Sequence, residues 1–127
     1  MKQKPIGELV IQVFAMPRDT NPSGDIFGGW LMSQMDISGG IFCQNIAQGR
    51  VVTVAINSMS FNSPVFVGDT LCCYVSLIKL GKTSISVHIE AFVNRQYNID
   101  THIKVTEGDF TYVKVNNDGK PSQISVI

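Results

Sequence analysis

Between Gly28 and Gly49 the chain carries one charged side chain, Asp36, in a run otherwise built from apolar, small and neutral polar residues. A segment so poor in charge cannot present an ordinary solvated face. A carboxylate inside it is disfavoured twice, because aspartate is a modest helix former and its buried charge is costly without partners. Macrodipole help is small, since Asp36 lies about two turns beyond the start of the segment. Two readings follow: a paired carboxylate that specifies packing, or a general base or nucleophile mounted on a rigid element.

Gly24, Gly28 and Gly29 stand just upstream. At a helix start, glycines leave backbone N–H groups free to bind a phosphate or polarise a carbonyl, although turn geometry and close packing are the plainer explanation. His88 and His102 fall on stretches with strand alternation, where ordinary surface or core histidines are expected. No HxxxH, CxxC or clustered carboxylate spacing supports a metal, and no G-x-S-x-G elbow marks a serine nucleophile. Cys72 and Cys73 are neighbours that would point to opposite faces of a strand, and Cys43 stands alone in an apolar stretch. All three are expected as buried thiols in a reducing compartment.

The elements that must position these residues can be read from periodicity. Glu8 to Met16 alternates as a first strand, and Pro17 to Asp25 is a dense cluster of turn formers. From Gly28 to Gly49, Leu31, Met35, Phe42 and Ile46 make one stripe at helical spacing, with Gly39 completing it. Asn21, Ser23 and Asp25 are N-cap candidates and Gly49 a C-cap candidate. Gly39-Gly40 weakens the helix interior by about 1 kcal/mol per glycine. Beyond Gly49 the chain reads as strand. Arg50 to Asn62 slips phase between Ile56 and Met59, predicting a bulge. Thr70 to Lys79 and Thr83 to Arg95 follow, joined at Gly81-Lys82. Asn98 to Thr101 reads as a turn, and His102 to Val115 as the last strand. The order predicts an α+β architecture, an antiparallel sheet of about five strands wrapped around one long helix.

The 127 residues suffice for a single domain spanning 1–127 with a real core. Ten basic and ten acidic residues balance, so no global field draws the protein to nucleic acid or an anionic membrane. An anionic ligand must be met by a local cluster of Lys and Arg. The helix is too polar to span a membrane, and Met1 to Gly7 is too short for a leader, so a soluble, cytoplasmic protein is expected. Hydrophobic residues make up 44% and charged residues only 16%, a balance that points to surface covered by self-association.

The segment Asn21-Pro-Ser-Gly-Asp-Ile-Phe-Gly-Gly-Trp-Leu-Met-Ser-Gln-Met-Asp36 closely resembles the hotdog-fold acyl-CoA thioesterases, especially the bacterial group called the YciA type. The similarity continues through Gly49 to Val54, Phe61, Pro64 to Asp69 and Gly81 to Ser84, covering most of the chain from Gly7 to Lys120. The resemblance implies hydrolysis of acyl-CoA to a free acid and CoA, without cofactor or metal. It makes Asp36 the catalytic carboxylate and Asn21 the loop residue that accompanies it across a dimer interface. It places N–H groups of Gly28 and Gly29 near the thioester oxygen. Gly81, Lys82, Thr83 and Ser84 match a turn near CoA, with Arg50 a further basic candidate. Many relatives carry a basic residue before the proline of F-x-[RK]-P-V, where this chain has Ser63, so a phosphate contact from that position is not carried over. The resemblance further implies a homo-oligomer, a trimer of dimers. Two rivals are weighed against it. A hotdog dehydratase would need a His near the helix, and none precedes His88. A non-catalytic acyl-CoA-binding module is opposed by the presence of both Asn21 and Asp36.

Overall fold

The alternation of Ile85, Val87, Ile89, Ala91 and Val93 becomes the floor of the core, each of these residues being fully buried. In the computed structural model, which describes residues 4–95 and 97–125, the chain runs β1 (Glu8–Phe14), a 3₁₀ turn (Pro17–Asp19), α1 (Gly28–Ala47), β2 (Val51–Phe61), β3 (Thr70–Leu80), β4 (Ser84–Arg95) and β5 (Asn98–Lys114). The strands form one antiparallel sheet in the order β1-β3-β4-β5-β2, with α1 packed across it as in a hotdog fold. The edges are therefore β1 and β2.

One face of the sheet carries the apolar set that meets Leu31, Met35 and Cys43 of the helix. Period-two alternation sends Ser86, His88, Glu90 and Phe92 of β4 to the opposite, outer face. The buried side of α1 is Leu31, Met35, Ser38, Gly39, Cys43 and Ala47. Phe42 and Ile46 of the sequence stripe are only half-buried. Ile37 and Ile41 lie exposed on the other side, so within one chain the helix is not covered all round.

The phase slip in β2 is real: its register against β5 shifts between Asn57 and Ser60, and Ser58 sits at φ 57. Gly108 on β5 makes room there, since a Cβ would press into the Met59 side chain.

Several boundaries differ from the sequence expectation. β1 stops at Phe14, and part of the 17–25 loop is a 3₁₀ turn. The residue capping α1 is Phe27, with no side-chain cap bond. Asn21 instead turns its own loop, its Oδ1 accepting from the N–H groups of Ser23 (3.0 Å) and Asp25 (3.1 Å). At the other end Gln48, not Gly49, takes the left-handed C-cap conformation at φ 52. Asn98 to Thr101 is strand, not turn. Asn98 already pairs with Arg95, so the reversal falls earlier, where Tyr97 takes φ 67. The N–H of Asp100 donates to Asn98 Oδ1 at 2.9 Å, a turn-like bond that the ladder accommodates.

Candidate functional site

Thr53 and Tyr112 pair across β2 and β5, so both side chains rise on the same face beneath α1. They converge on Asp36. The Thr53 hydroxyl donates to Asp36 Oδ1 at 2.7 Å, and the Tyr112 hydroxyl reaches the same oxygen at 2.9 Å and the Asp36 carbonyl at 2.8 Å. Gly39 permits this, because a Cβ there would collide with the Tyr112 ring and hydroxyl. Burial first, then the neighbouring Asp36 carboxylate, pushes the Tyr112 phenol far above its usual range, so it remains a protonated donor. Among the described residues, the hydrogen bonds accepted by the Asp36 carboxylate fall on Oδ1. Asp36 is half-buried and borders the unpaired β2 edge, where Val54 is 55% exposed, and the open helix face, where Ile37 is 51% exposed.

Gly28 and Gly29 form the first turn of α1, both exposed, and a Cβ at Gly29 would meet nothing within 4 Å. Their N–H groups point out of the helix end, away from Asp36. Eight residues of helix separate Gly28 from Asp36, about 12 Å along the axis. One thioester cannot touch both within a single chain. Asn21 stands at the same end as Gly28, and its described side-chain bonds are those of its own loop.

The basic candidates gather at the opposite end of α1. The N–H of Lys114 donates to the Thr83 carbonyl at 2.8 Å, and that of Val115 to the Arg50 carbonyl at 3.0 Å, tying Arg50 and the Gly81–Ser84 turn to one strand end. The C-terminal segment closes over it, with the Ile124 N–H on the Lys82 carbonyl at 2.7 Å. Gly81 packs closely against Ser84 in the turn, where a Cβ would come within 2.6 Å of the Ser84 hydroxyl and turn it aside. Lys114 packs its chain on Gly49, and Gly119 lies beside the Arg50 guanidinium. Arg50, Lys82, Lys114 and Lys120 thus share one end of the molecule.

Both histidines lie on the outer sheet face. His88 meets Asp109 through Nδ1 at 2.8 Å, with Glu107 (3.2 Å) and Glu90 (3.4 Å) at Nε2, so no serine completes a triad. His102 stacks on Phe92 with ring centroids 4.6 Å apart. The group His88, Glu90 and Glu107 has the donor types for a metal ion, but Lys104 bridges the two glutamates at 3.0 and 2.9 Å and already supplies a cation. The cysteines are free and buried, with burial pushing the Cys43 and Cys73 thiols up to about 12, which leaves neither as a nucleophile. Among the described residues, no helix is long and apolar enough to cross a membrane.

Comparison with known proteins places this architecture. The thioesterase superfamily profile matches residues 23–98. The acyl-CoA thioester hydrolase YciA of Salmonella typhimurium is 53% identical over 128 residues, covering 99% of this chain and 96% of that protein. The chain belongs to the thioesterase superfamily. Among solved structures, the hexameric thioesterase y2039 from Yersinia pestis superposes with a TM-score of 0.93 at 52% identity, covering 98% of this chain and 100% of that one. HI0827, described as a hexameric broad specificity acyl-coenzyme A thioesterase, gives a TM-score of 0.92 at 45% identity, covering 98% of this chain and 85% of that one.

Sequence reasoning missed the two residues that hold the carboxylate of this thioesterase domain. Thr53 is one of many strand threonines and carries no signal of its own. Tyr112 had one: it shares the core-facing phase of β5 with Phe110, and a buried tyrosine hydroxyl demands a partner.

Proposed function

We propose that the protein hydrolyses acyl-CoA thioesters to the free carboxylic acid and CoA, with Asp36 as the residue on which the reaction depends. The observation that carries this reading is the asymmetric binding of the half-buried Asp36 carboxylate, with two neutral hydroxyls donating to Oδ1. Oδ2 takes a proton from the attacking water, or in direct attack forms a mixed anhydride that water then opens. In either case the carbonyl oxygen gains charge and CoA leaves as the thiolate. Hydrolysis run in ¹⁸O-water reveals the anhydride route when water opens the anhydride at the Asp36 carboxyl carbon, because label then enters Asp36, whereas activated water attacking the thioester leaves Asp36 unlabelled.

The 12 Å offset between Asp36 and the helix start supports a site in which a second copy of the chain meets the developing oxyanion. In this arrangement two β2 edges meet about a two-fold axis and bring Asp36 of one copy to Gly28, Gly29 and Asn21 of the other. The exposed Val52 and Val54 on that edge support the pairing. Three such dimers give the hexamer described for the relatives. The cationic end carrying Arg50, Lys82, Thr83 and Ser84 meets the phosphates of CoA, about 16 Å along the helix from Asp36. A dehydratase reading finds no imidazole at Asp36, since His88 and His102 occupy the outer face.

Thiol release from acyl-CoA by the wild type and by Asp36→Ala tests the proposal. A loss of about 10²–10⁴-fold with an unchanged melting temperature is expected. A wild type that binds acyl-CoA without turnover would make it a binding module instead.

A further inference from the structure

Tyr112 is buried, and its hydroxyl faces two acceptors that belong to the same residue. One is Asp36 Oδ1 at 2.9 Å, which also receives the Thr53 hydroxyl at 2.7 Å. The other is the Asp36 main-chain carbonyl at 2.8 Å. A phenol carries a single proton, so it donates to one of these oxygens at a time. Neither choice strands a partner. Thr53 still reaches Oδ1 in one case, and the carbonyl keeps its helical bond from the Gly40 N–H in the other. A turn about one C–O bond exchanges the two.

The elements packed around Asp36 bring no competing charge among the described residues. β2 has no ionisable side chain, and α1 has only Cys43 besides Asp36. Burial pushes the thiols of Cys43, and of Cys73 on β3, up to about 12, so both stay neutral. His88, Glu90, Lys104, Glu107 and Asp109 are engaged with one another on the outer sheet face. Lys114 lies against Gly49 beyond the end of the helix. The Tyr112 phenol itself remains protonated, held far above its usual range by burial first and then by the Asp36 carboxylate.

We propose that Tyr112 is a positioning residue whose hydroxyl follows the charge of Asp36 through turnover. It donates to Oδ1 while Asp36 is a carboxylate, and turns to the main-chain carbonyl once that charge is neutralised. The inference rests on the catalytic role proposed for Asp36. When Asp36 takes a proton from water, the water oxygen bonds to the thioester carbon, and the carbon–sulfur bond then breaks. The proton passes to the departing CoA thiolate, and Asp36 becomes a carboxylate again. In direct attack the acylated Asp36 is likewise neutral until water opens the anhydride. Either way Oδ1 is a charged acceptor before the step and a weaker, neutral one after it. A hydroxyl fixed on Oδ1 would stabilise the resting carboxylate more than the transition state, and so slow the step. The second acceptor at 2.8 Å reduces that loss, while Thr53 keeps the side chain aimed.

Tyr112→Phe removes the hydroxyl and keeps the ring, which stacks against Phe110 with centroids 6.4 Å apart. Turnover of acetyl-CoA by this variant and by the wild type is measured from about pH 5 to 9. In the variant kcat should fall by about tenfold with KM unchanged. The acid limb should move to higher pH by about half a unit or more, because a donor to the charged form is gone. A lower kcat with an unmoved acid limb would reduce Tyr112 to packing and overturn the inference, as would wild-type values of both. The turn itself is read at the Asp36 carbonyl. Aspartate labelled with ¹³C at the main-chain carbonyl, together with ¹⁵N-isoleucine, marks the pairs Asp25-Ile26 and Asp36-Ile37, and Asp36→Asn identifies the second by its loss. Followed down the acid limb, the Asp36 carbonyl resonance should move further in the wild type than in Tyr112→Phe. Equal movement in the two proteins would show a hydroxyl fixed on Oδ1 and overturn the inference. A failure of the role of Asp36 itself is read separately, as retained turnover in Asp36→Ala.

Discussion

Asp36 and Glu90 are carboxylates of the same small domain, and their surroundings differ in kind. Glu90 is on the outer sheet face, almost fully buried, with Oε1 accepting the Ile6 N–H at 2.9 Å and Oε2 meeting Lys104 at 3.0 Å. Burial alone would raise its pKa, but Ile6, Lys104 and His88 outweigh this and hold it below the usual glutamate value. Among the described residues, Asp36 has no such cation. It is held by two neutral hydroxyls on one oxygen, at the margin of an unpaired strand edge. A carboxylate whose charge is matched on both oxygens ties elements together. One that is oriented without being neutralised remains available to a substrate.

Exchanging each acid for its amide should separate these roles. Asp36→Asn is expected to lose about 10²–10⁴-fold in kcat with little change in its urea midpoint. Glu90→Gln should do the reverse, keeping activity per folded molecule while losing about 3 kcal/mol of stability. That figure is the low end for breaking a buried pair, because Glu107 still reaches Lys104 at 2.9 Å. Equal losses of stability in the two variants would erase the distinction.

Gly39→Ala sharpens the comparison on the Asp36 side. The new methyl must displace Tyr112, so stability should fall by about 1–3 kcal/mol. Activity should fall as well, since the displaced hydroxyl no longer fixes Oδ1. Retained turnover in a destabilised but folded variant would show that Tyr112 packs without orienting.

The smallest effect belongs to His88. Burial alone would lower its pKa, but Asp109 and Glu90 accept hydrogen bonds from it and raise it above the ordinary 6.5. Folding therefore favours the protonated form. This contribution is complete below about pH 6.5 and fades as pH rises through the folded-state value. Glu90 behaves oppositely, and its contribution is lost as pH falls below the ordinary 4.5. Melting temperature between pH 6 and 9 should decline more steeply for the wild type than for His88→Gln, and identical slopes would remove His88 from the network.

The sheet and helix were legible because strand alternation and one long apolar stripe dominate the chain. Asn98 was misread because asparagine and aspartate make local turn bonds, and here such a bond sits inside the ladder. The helix caps were misread for a related reason, since Asn21, Ser23 and Asp25 spend their side chains and amides on their own loop. Asp36 could be singled out because a lone charge in an apolar helix is anomalous. Its holders Thr53 and Tyr112 are distant in sequence, and only the β2–β5 register brings them together. The 12 Å gap to Gly28 was implicit in helix geometry from the start.

That gap makes the most direct test a mixing experiment. Asp36→Ala and Asn21→Ala chains, each inactive alone, are unfolded together and refolded at equal concentration. In a site built from Asp36 of one copy and Asn21 of the other, about half the dimers are mixed, and each mixed dimer holds one intact site and one doubly defective site. Activity should recover to roughly a quarter of the wild-type level. A mixture no more active than the sum of its parents, with mixed dimers verified by mass spectrometry, would contradict the composite site.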